Sequence, residues 1–305
     1  MLTMASSPNG LTVRAPAKVN LTLRVLGTRP DGYHALESLV AGVTLFDTLH
    51  LALDDGMSLA CSGAAAGADV PAGDANLVLR AARVLRETCG VGEGARLALE
   101  KHIPPGRGFG GGSSDAAAAL VGLNALWDTG LGREELARLG ATIGSDVPLF
   151  LGPPLAVMRG RGEEIEPARG RSSWHLVLAW PDFGLSTADV YAAYDRLPAK
   201  EDGGPSAADL LDRLDGLARE AKPFLVNDLE PAADSIRGAR PGLRAVLEAA
   251  GAEAVGMTGS GSAYFAAADT EADARRWADA ARSGGATTYL ARLLGDGIEQ
   301  QEISP

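Results

Sequence analysis

The chain is poor in the residues that would mark several common protein classes. Cys61 and Cys89 are its only cysteines, which excludes a disulfide framework and any C-x-x-C metal or redox motif. Lysine occurs only as Lys18, Lys101, Lys200 and Lys222, against 24 arginines. Acidic residues outnumber basic ones 39 to 28, a net charge of −11. That excludes a polyanion-binding surface over most of the molecule, because phosphate contacts need clustered Lys and Arg. No nucleic-acid partner is expected, whereas a small phosphorylated ligand needs only a few local donors. No apolar run approaches the roughly 18 residues of a membrane span. Residues 1–10 lack the charged-then-apolar pattern of a signal peptide. No membrane partner and a cytoplasmic location are expected. No repeat is visible at any period of about 20–50 residues.

What is present begins with glycine, 39 of 305 residues, about twice the share in an average protein. Hydrophobic residues make up 46%, an ordinary globular balance, and the length suggests two domains. Leu11–Ala15, Val19–Leu26 and Thr44–Leu53 read as strands, with a turn at Arg29-Pro30-Asp31-Gly32. A surface loop is expected over 62–75. A helix follows over 76–88 with Gly90 as its stop, then a strand over 95–102. Further helices are expected after the segment 104–115 through Trp127, and over 133–139. Leu155–Met158 and Ile165 suggest a hairpin. Beyond them come strand 174–180, helices near 187–195, 206–221 and 241–250, strands 253–257 and 263–268, helix 270–283 and strand 287–292. This succession predicts an α+β fold. Composition turns polar around 160–173, and the domains are drawn as a disordered extension over 1–10, a first domain over 11–165 and a second over 166–305.

The densest local signal is Pro104-Pro105-Gly106-Arg107-Gly108-Phe109-Gly110-Gly111-Gly112-Ser113-Ser114-Asp115. Without Cβ atoms such a backbone can take positive φ, approach a ligand closely and aim successive N–H groups at one anion. Ser113 and Ser114 stand where the next helix must begin. They can cap it, or turn their hydroxyls to a phosphate or its metal ion. The helix dipole adds roughly half a positive charge there, so the cradle needs little basic charge. A Walker A loop would need a Gly-Lys pair, and the sequence has none. A G-x-G-x-x-G match at Gly106, Gly108 and Gly111 lacks a βαβ context. Asp182-Phe183-Gly184 spells a protein-kinase triplet but lacks the accompanying catalytic loop, and reads as a turn.

The loop resembles the phosphate-binding motif of the GHMP kinases. Two more segments resemble that family's first and third motifs. One is Ala15-Pro16-Ala17-Lys18-Val19-Asn20-Leu21, followed by Gly27-Thr28-Arg29-Pro30-Asp31-Gly32-Tyr33-His34; the other is Gly256-Met257-Thr258-Gly259-Ser260-Gly261-Ser262. Asn76-Leu77, Gly144-Ser145-Asp146-Val147-Pro148 and Ser186-Thr187-Ala188-Asp189-Val190-Tyr191 extend the likeness over roughly 11–292. The Asp-Gly-Tyr-His segment is similar to one branch of the family. Its members use ATP to phosphorylate the 2-hydroxyl of a cytidine-diphosphate-linked methylerythritol in the non-mevalonate isoprenoid pathway.

The resemblance implies a ribosomal-protein-like N-terminal ATP-binding and catalytic α/β domain and a ferredoxin-like C-terminal α+β domain that binds substrate. It implies Asp146 as catalytic base and Lys18 as the partner that polarises the hydroxyl. ATP would be held by Asn76, facing adenine, and by Pro104, Pro105, Gly106, Arg107, Gly108, Phe109, Gly110, Gly111, Gly112, Ser113 and Ser114. Asn20, Tyr33, His34, Thr187 and Tyr191 would hold the substrate, with Tyr33 and Tyr191 stacking on cytosine and His34 reading its edge. Gly259, Ser260 and Gly261 form either a second phosphate-facing turn or a plain hairpin. Mg²⁺ is expected with ATP, without assigned ligands. Arg107 and Phe109 depart from the smaller or aliphatic residues usual in this loop, and Arg107 either meets phosphate or points to water. His50, His102 and His175 have no metal-ligand spacing. The expected assembly is a monomer or a weak homodimer. Two alternatives stay open, another small-molecule GHMP kinase of mevalonate or homoserine type, and a non-catalytic ligand sensor.

Overall fold

The computed structural model describes residues 1–7, 10–67, 70–71, 73–198, 204–238 and 242–295. The elements are mixed α and β, and they form two compact units that are each discontinuous in sequence. The first takes Met1–Ala17, Leu45–Pro105 and Gly110–Pro153; the second takes Lys18–Thr44, Gly106–Phe109 and the chain from Pro154 onward. Composition marks one change between 165 and 166, whereas the chain passes between units within two long strands, around the glycine loop and after Pro153.

In the first unit, β1 (Thr3–Ser7) pairs antiparallel with the start of β2 (Gly10–Thr28). This corrects the expected disorder of 1–10, of which residues 8–9 lie outside the described residues. Met1 and Leu2 pack on the core of this unit, which draws the strand into place. The end of β3 (His34–Asp54) pairs antiparallel with β5 (Gly94–Glu100), and β4 (Met57–Ser62) pairs parallel with β5. On these strands lie α1 (Leu77–Cys89), α2 (Gly111–Leu126), α3 (Arg133–Ile143) and α4 (Val147–Leu151). Helix α1 ends at the expected Gly90, and its start is capped by Asn76. Asn76 Oδ1 accepts from the Val78 amide, and Gly90 closes the helix at φ 65°.

Helix α2 is buried nearly all round, because Ala116–Ala119 let it settle deeply into the core. A Cβ on Gly122 would stand 2.8 Å from the Leu51 side chain and 3.2 Å from Val13, so glycine is what allows that approach. At the start of the helix lies a buried ion triad. Lys101 Nζ donates to Asp47 Oδ2 at 2.5 Å and to Asp115 Oδ2 at 2.6 Å. Asp47 Oδ1 also accepts from the Ile103 amide at 2.9 Å. Burial pushes the Asp115 carboxyl well above the usual range, against the pull of Lys101. Burial would depress the Lys101 ammonium, but the two carboxylates outweigh it and its pKa ends raised.

In the second unit, Leu36–Ala41 of β3 pairs antiparallel with β6 (Leu155–Gly160), which turns back into β7 (Glu164–Pro167) as the expected hairpin. A separate antiparallel sheet has the order β11-β8-β10-β9, built from β8 (His175–Trp180), β9 (Ala254–Met257), β10 (Tyr264–Ala268) and β11 (Thr287–Arg292). Its helices are α5 (Thr187–Tyr194), α6 (Ala207–Leu211), α7 (Glu230–Arg237), α8 (Leu243–Ala249) and α9 (Glu271–Ser283), with a second core under α5, α7, α8 and α9.

Several elements differ from expectation. The two strands predicted at 11–15 and 19–26 are one, since Pro16 removes a donor without ending the extended backbone. The helix predicted over 206–221 stops at Leu211 and resumes as a 3₁₀ turn over Ala218–Phe224, with Gly216 between them. Strand β4 and helices α4 and α7 are too short to show a period in the sequence.

Removing one member of a buried ion cluster strands the others. Lys101→Met is expected to lower the stability of the fold by about 3–5 kcal/mol, measured as a shift of the urea unfolding midpoint at constant m-value.

Candidate active site

Lys18 and Asn20 are two residues apart on β2 and therefore share a face of the strand. Each is only 5% exposed. A buried ammonium is costly unless acceptors surround it, and Lys18 Nζ donates to Asn20 Oδ1. The same oxygen accepts from the Gly259 amide at 3.0 Å, while Asn20 Nδ2 donates to Ser38 Oγ at 2.8 Å. Ser38 Oγ in turn donates to the Thr22 carbonyl at 2.5 Å, and the Asn20 amide donates to Thr258 Oγ1 at 3.0 Å. The Asn20 side chain and amide thus join Lys18, Ser38 and the third-motif turn.

Two glycine turns meet beside this ammonium. Gly108 and Gly259 both have positive φ, 90° and 59°. A Cβ on Gly108 would stand 2.3 Å from the Thr258 carbonyl oxygen; one on Gly259 would stand 3.1 Å from Gly108 Cα and 3.5 Å from Lys18 Nζ. The Lys18 amide donates to the Phe109 carbonyl at 3.0 Å. The turn over Thr258–Ser262 thus links β9 to β10 and also braces the Gly106–Phe109 segment. Asn227, which carries no motif, holds it from the other side. Its Nδ2 donates to the Met257 carbonyl at 2.8 Å and the Gly259 carbonyl at 2.9 Å, and its Oδ1 accepts from the Leu229 amide ahead of α7. An Asn shortly before Glu230-Pro231, a pair suited to opening a helix, was the one available sequence signal.

The side chains of Arg107 and Phe109 anchor the loop. Arg107 Nη2 donates to the Asp182 carbonyl at 3.0 Å and Nε to the Pro181 carbonyl at 3.3 Å. Arg107 thereby clamps the Asp182-Phe183-Gly184 turn. Phe109 is fully buried and meets Trp180 edge to face at 5.6 Å. Pro104 is buried and Pro105 half-buried.

Among the residues expected at cytosine, His34 stacks on Tyr191, with ring centroids 5.0 Å apart and an interplanar angle of 26°. Tyr194 meets the His34 ring edge-on at 5.9 Å, and Asp195 Oδ1 lies 2.8 Å from His34 Nε2. Tyr33 is 58% exposed, and the Arg161 guanidinium lies over its ring at 4.4 Å. Thr187 Oγ1 and Ser260 Oγ are 2.9 Å apart, which joins a predicted substrate residue to the third motif.

In the first unit, Gly110 takes the N-cap position of α2 at φ 72°, with no side chain capping the helix. Ser113 and Ser114 lie inside the first turn, so they do not cap it as anticipated. The leading amides of α2 receive no side-chain cap and keep their positive dipole end. Ser114 Oγ is buried without a hydrogen-bond partner. A Cβ on Gly111 would crowd Ile103 at 2.8 Å and Lys101 Nζ at 3.2 Å, so the ion triad sits directly beneath this turn. Gly112 is exposed.

Asp146 stands at the N-cap of α4, but its side chain makes no capping bond, and no ion pair or hydrogen bond engages its carboxylate among the described residues. The Gly144 side of that turn lies beside Ser113 Oγ. The side chain of Asn76 is committed to capping α1 and to the Pro71 carbonyl, 3.0 Å from its Nδ2. Among the described residues no group of three or more His, Cys, Asp and Glu side chains could hold a metal ion, and no helix is long and apolar enough to cross a membrane.

The GHMP kinases N-terminal domain model matches residues 76–152, and the GHMP kinases C-terminal model matches 207–287. A 4-diphosphocytidyl-2-C-methyl-D-erythritol kinase of Salinispora arenicola is 44% identical over 87% of this chain and 85% of its own length. The protein of that name from Rhodococcus jostii is 41% identical over 96% and 97%. A crystal structure of 4-(cytidine 5'-diphospho)-2C-methyl-D-erythritol kinase superposes with a TM-score of 0.78 at 37% identity, covering 93% of this chain and 99% of the other. Homoserine kinase from Cytophaga hutchinsonii, at 20% identity and a TM-score of 0.71, shares the fold. The chain belongs to the 4-diphosphocytidyl-2-C-methyl-D-erythritol kinase family of the GHMP kinases.

Proposed function

We propose that the chain is a cytoplasmic kinase that transfers the γ-phosphoryl group of ATP to the 2-hydroxyl of 4-diphosphocytidyl-2-C-methyl-D-erythritol, a step in the non-mevalonate supply of isoprenoid precursors. The observation that carries the reading is the pairing of a buried, aimed Lys18 with two glycine turns in backbone contact, in a chain whose relatives bear that kinase's name. In the reaction the substrate oxygen bonds to the γ-phosphorus as the bond to the β-phosphate bridging oxygen breaks. ADP leaves, and the hydroxyl proton passes to a base. Such transfer depends on positioning and on neutralising charge.

Asp146 is the proposed base; its carboxylate is spent on no cap or ion pair, which supports that role. Lys18 is the proposed partner that polarises the hydroxyl. The ATP phosphates meet the leading amides of α2 over Gly110–Ser114, where donors and dipole both favour an anion. In the segment Pro104–Phe109 the side chains of Arg107 and Phe109 are anchors, so its contribution is backbone shape. Asn76 contributes to the nucleotide site by fixing the start of α1.

Mg²⁺ binds chiefly through nucleotide phosphates, water and one or two protein oxygens. The hydroxyls of Ser113 and Ser114 fit that need, Ser114 Oγ being buried without a partner. Bound there, the ion would neutralise charge on the β- and γ-phosphates. Tyr33, His34 and Tyr191 hold the cytidine end of the substrate, supported by the aromatic cluster at His34, and Asn20 and Thr187 belong to the same substrate site.

A coupled ATPase assay with the purified cytidine substrate tests the assignment directly, and turnover of mevalonate alone would overturn it. Asp146→Asn is expected to keep ATP affinity while lowering kcat by at least about 100-fold; near-normal turnover would remove Asp146 as the base. Tyr191→Ala is expected to raise KM for the cytidine substrate by about fivefold or more, the scale of one lost stacking contact, with KM for ATP unchanged in the same steady-state assay.

A further inference from the structure

Asp195 follows α5 directly, at its C-cap. A carboxylate there faces the negative end of the helix dipole, an unfavourable place for helix stability. Its partner lies outside the helix: His34 Nε2 is 2.8 Å from Asp195 Oδ1. The His34 side chain is 9% exposed, stacked on Tyr191 and met edge-on by Tyr194. Turning the ring over would keep the stack but put Cε1 in place of Nε2 and lose the hydrogen bond to Asp195.

A carboxylate only accepts hydrogen bonds, so the proton of a neutral His34 sits on Nε2. Nδ1 then keeps its lone pair and can only accept. The pyrimidines differ at the position such an acceptor reads. Cytosine presents an amino donor at C4, whereas uracil presents a carbonyl oxygen. An acceptor facing the amino group gains a bond; facing the carbonyl it opposes two lone pairs. Moving the proton to Nδ1 would suit uracil but would break the bond to Asp195.

We infer that Asp195 is a positioning residue for base selection, holding His34 in the tautomer that accepts from the cytosine amino group and disfavours uracil. The inference rests on the reading that His34 meets the pyrimidine edge. It adds that Asp195, not His34 alone, carries the discrimination. The Asn side chain can replace Asp195 in this respect, because its amide oxygen also accepts from Nε2–H. Alanine cannot, and it leaves the proton able to follow the base.

The test compares kcat/KM for the cytidine substrate and its uridine counterpart in wild type, Asp195→Ala and Asp195→Asn. The cytidine preference is expected to fall by at least about tenfold in Asp195→Ala, because an unpaired polar group no longer penalises the wrong base. In that variant KM for the cytidine substrate should rise, while KM for ATP stays at its wild-type value. Asp195→Asn should retain most of the preference. A structural role alone would weaken both substrates equally, so an unchanged ratio in Asp195→Ala overturns the inference, as does an Asn variant that behaves like Ala. Nitrogen-15 NMR of histidine-labelled wild-type protein, assigned with His34→Gln, supplies a second test without any Asp195 variant. Protonation at Nε2 supports the inference, and protonation at Nδ1 overturns it. A wild-type chain that fails to phosphorylate the cytidine substrate overturns the functional reading and this inference together, whereas a wild type that phosphorylates it with no preference for cytidine overturns this inference alone.

Discussion

Taking an ammonium group out of water is costly unless acceptors and dipoles replace its hydration, and the burial of Lys18 is the constraint on which the second unit is arranged. Asn20 must present its oxygen to Nζ, so its amide nitrogen is turned to Ser38 and its backbone to Thr258. Satisfying that oxygen brings in the Gly259 amide, and Gly259 can come so close only because it and Gly108 lack side chains. Asn227 then ties the turn from behind. Each link is a polar group that would otherwise be buried unpaired, so the aim of Lys18 is over-determined by the hydrogen-bond requirements of its neighbours.

The first unit uses the same physics for a different end. Lys101 is buried between Asp47 and Asp115 under the first turn of α2. The Lys101 ammonium is taken up by these two aspartates, and the turn above it offers backbone amides. An acidic chain can in this way offer an anion a site without a basic surface. The arrangement depends on small residues. The alanines of α2 let it sink into the core, and Gly111 and Gly122 let it touch Lys101 and the strands. A helix set this firmly presents its amides as fixed dipoles, and pre-set dipoles need no reorganisation when charge shifts during the reaction.

Much of the site was legible because its chemistry is local. Positive-φ glycines, a Pro-Ala-Lys-x-Asn strand and an Asp-Gly-Tyr-His turn are written in consecutive residues, and α1 announces both of its caps. The less legible parts depend on partners distant in sequence. Arg107 stands in the glycine loop, yet its guanidinium is held by carbonyls more than 70 residues away. Tyr33 and Tyr191 both suit a base stack, but their spacing along the chain cannot show that His34 takes the face of Tyr191. Strand β1 is too polar to be recognised by pattern, and it is ordered by pairing with β2 and by the packing of Met1 and Leu2.

By itself, then, the sequence determined part of the backbone chemistry of this protein: the positive φ of the glycine loop, the extent of helix α1, and the motifs that mark it as a GHMP kinase. Those properties are settled by a residue and its immediate neighbours. The tertiary structure alone decided how the polar side chains are spent. It put Asn20 to aiming Lys18, Arg107 to clamping a turn, Asn76 to capping and Asp195 to holding His34, and it left Asp146 without a cap to make. The reason is that a buried polar group must find a partner wherever the fold supplies one, and that choice depends on distances in space that residue order does not contain.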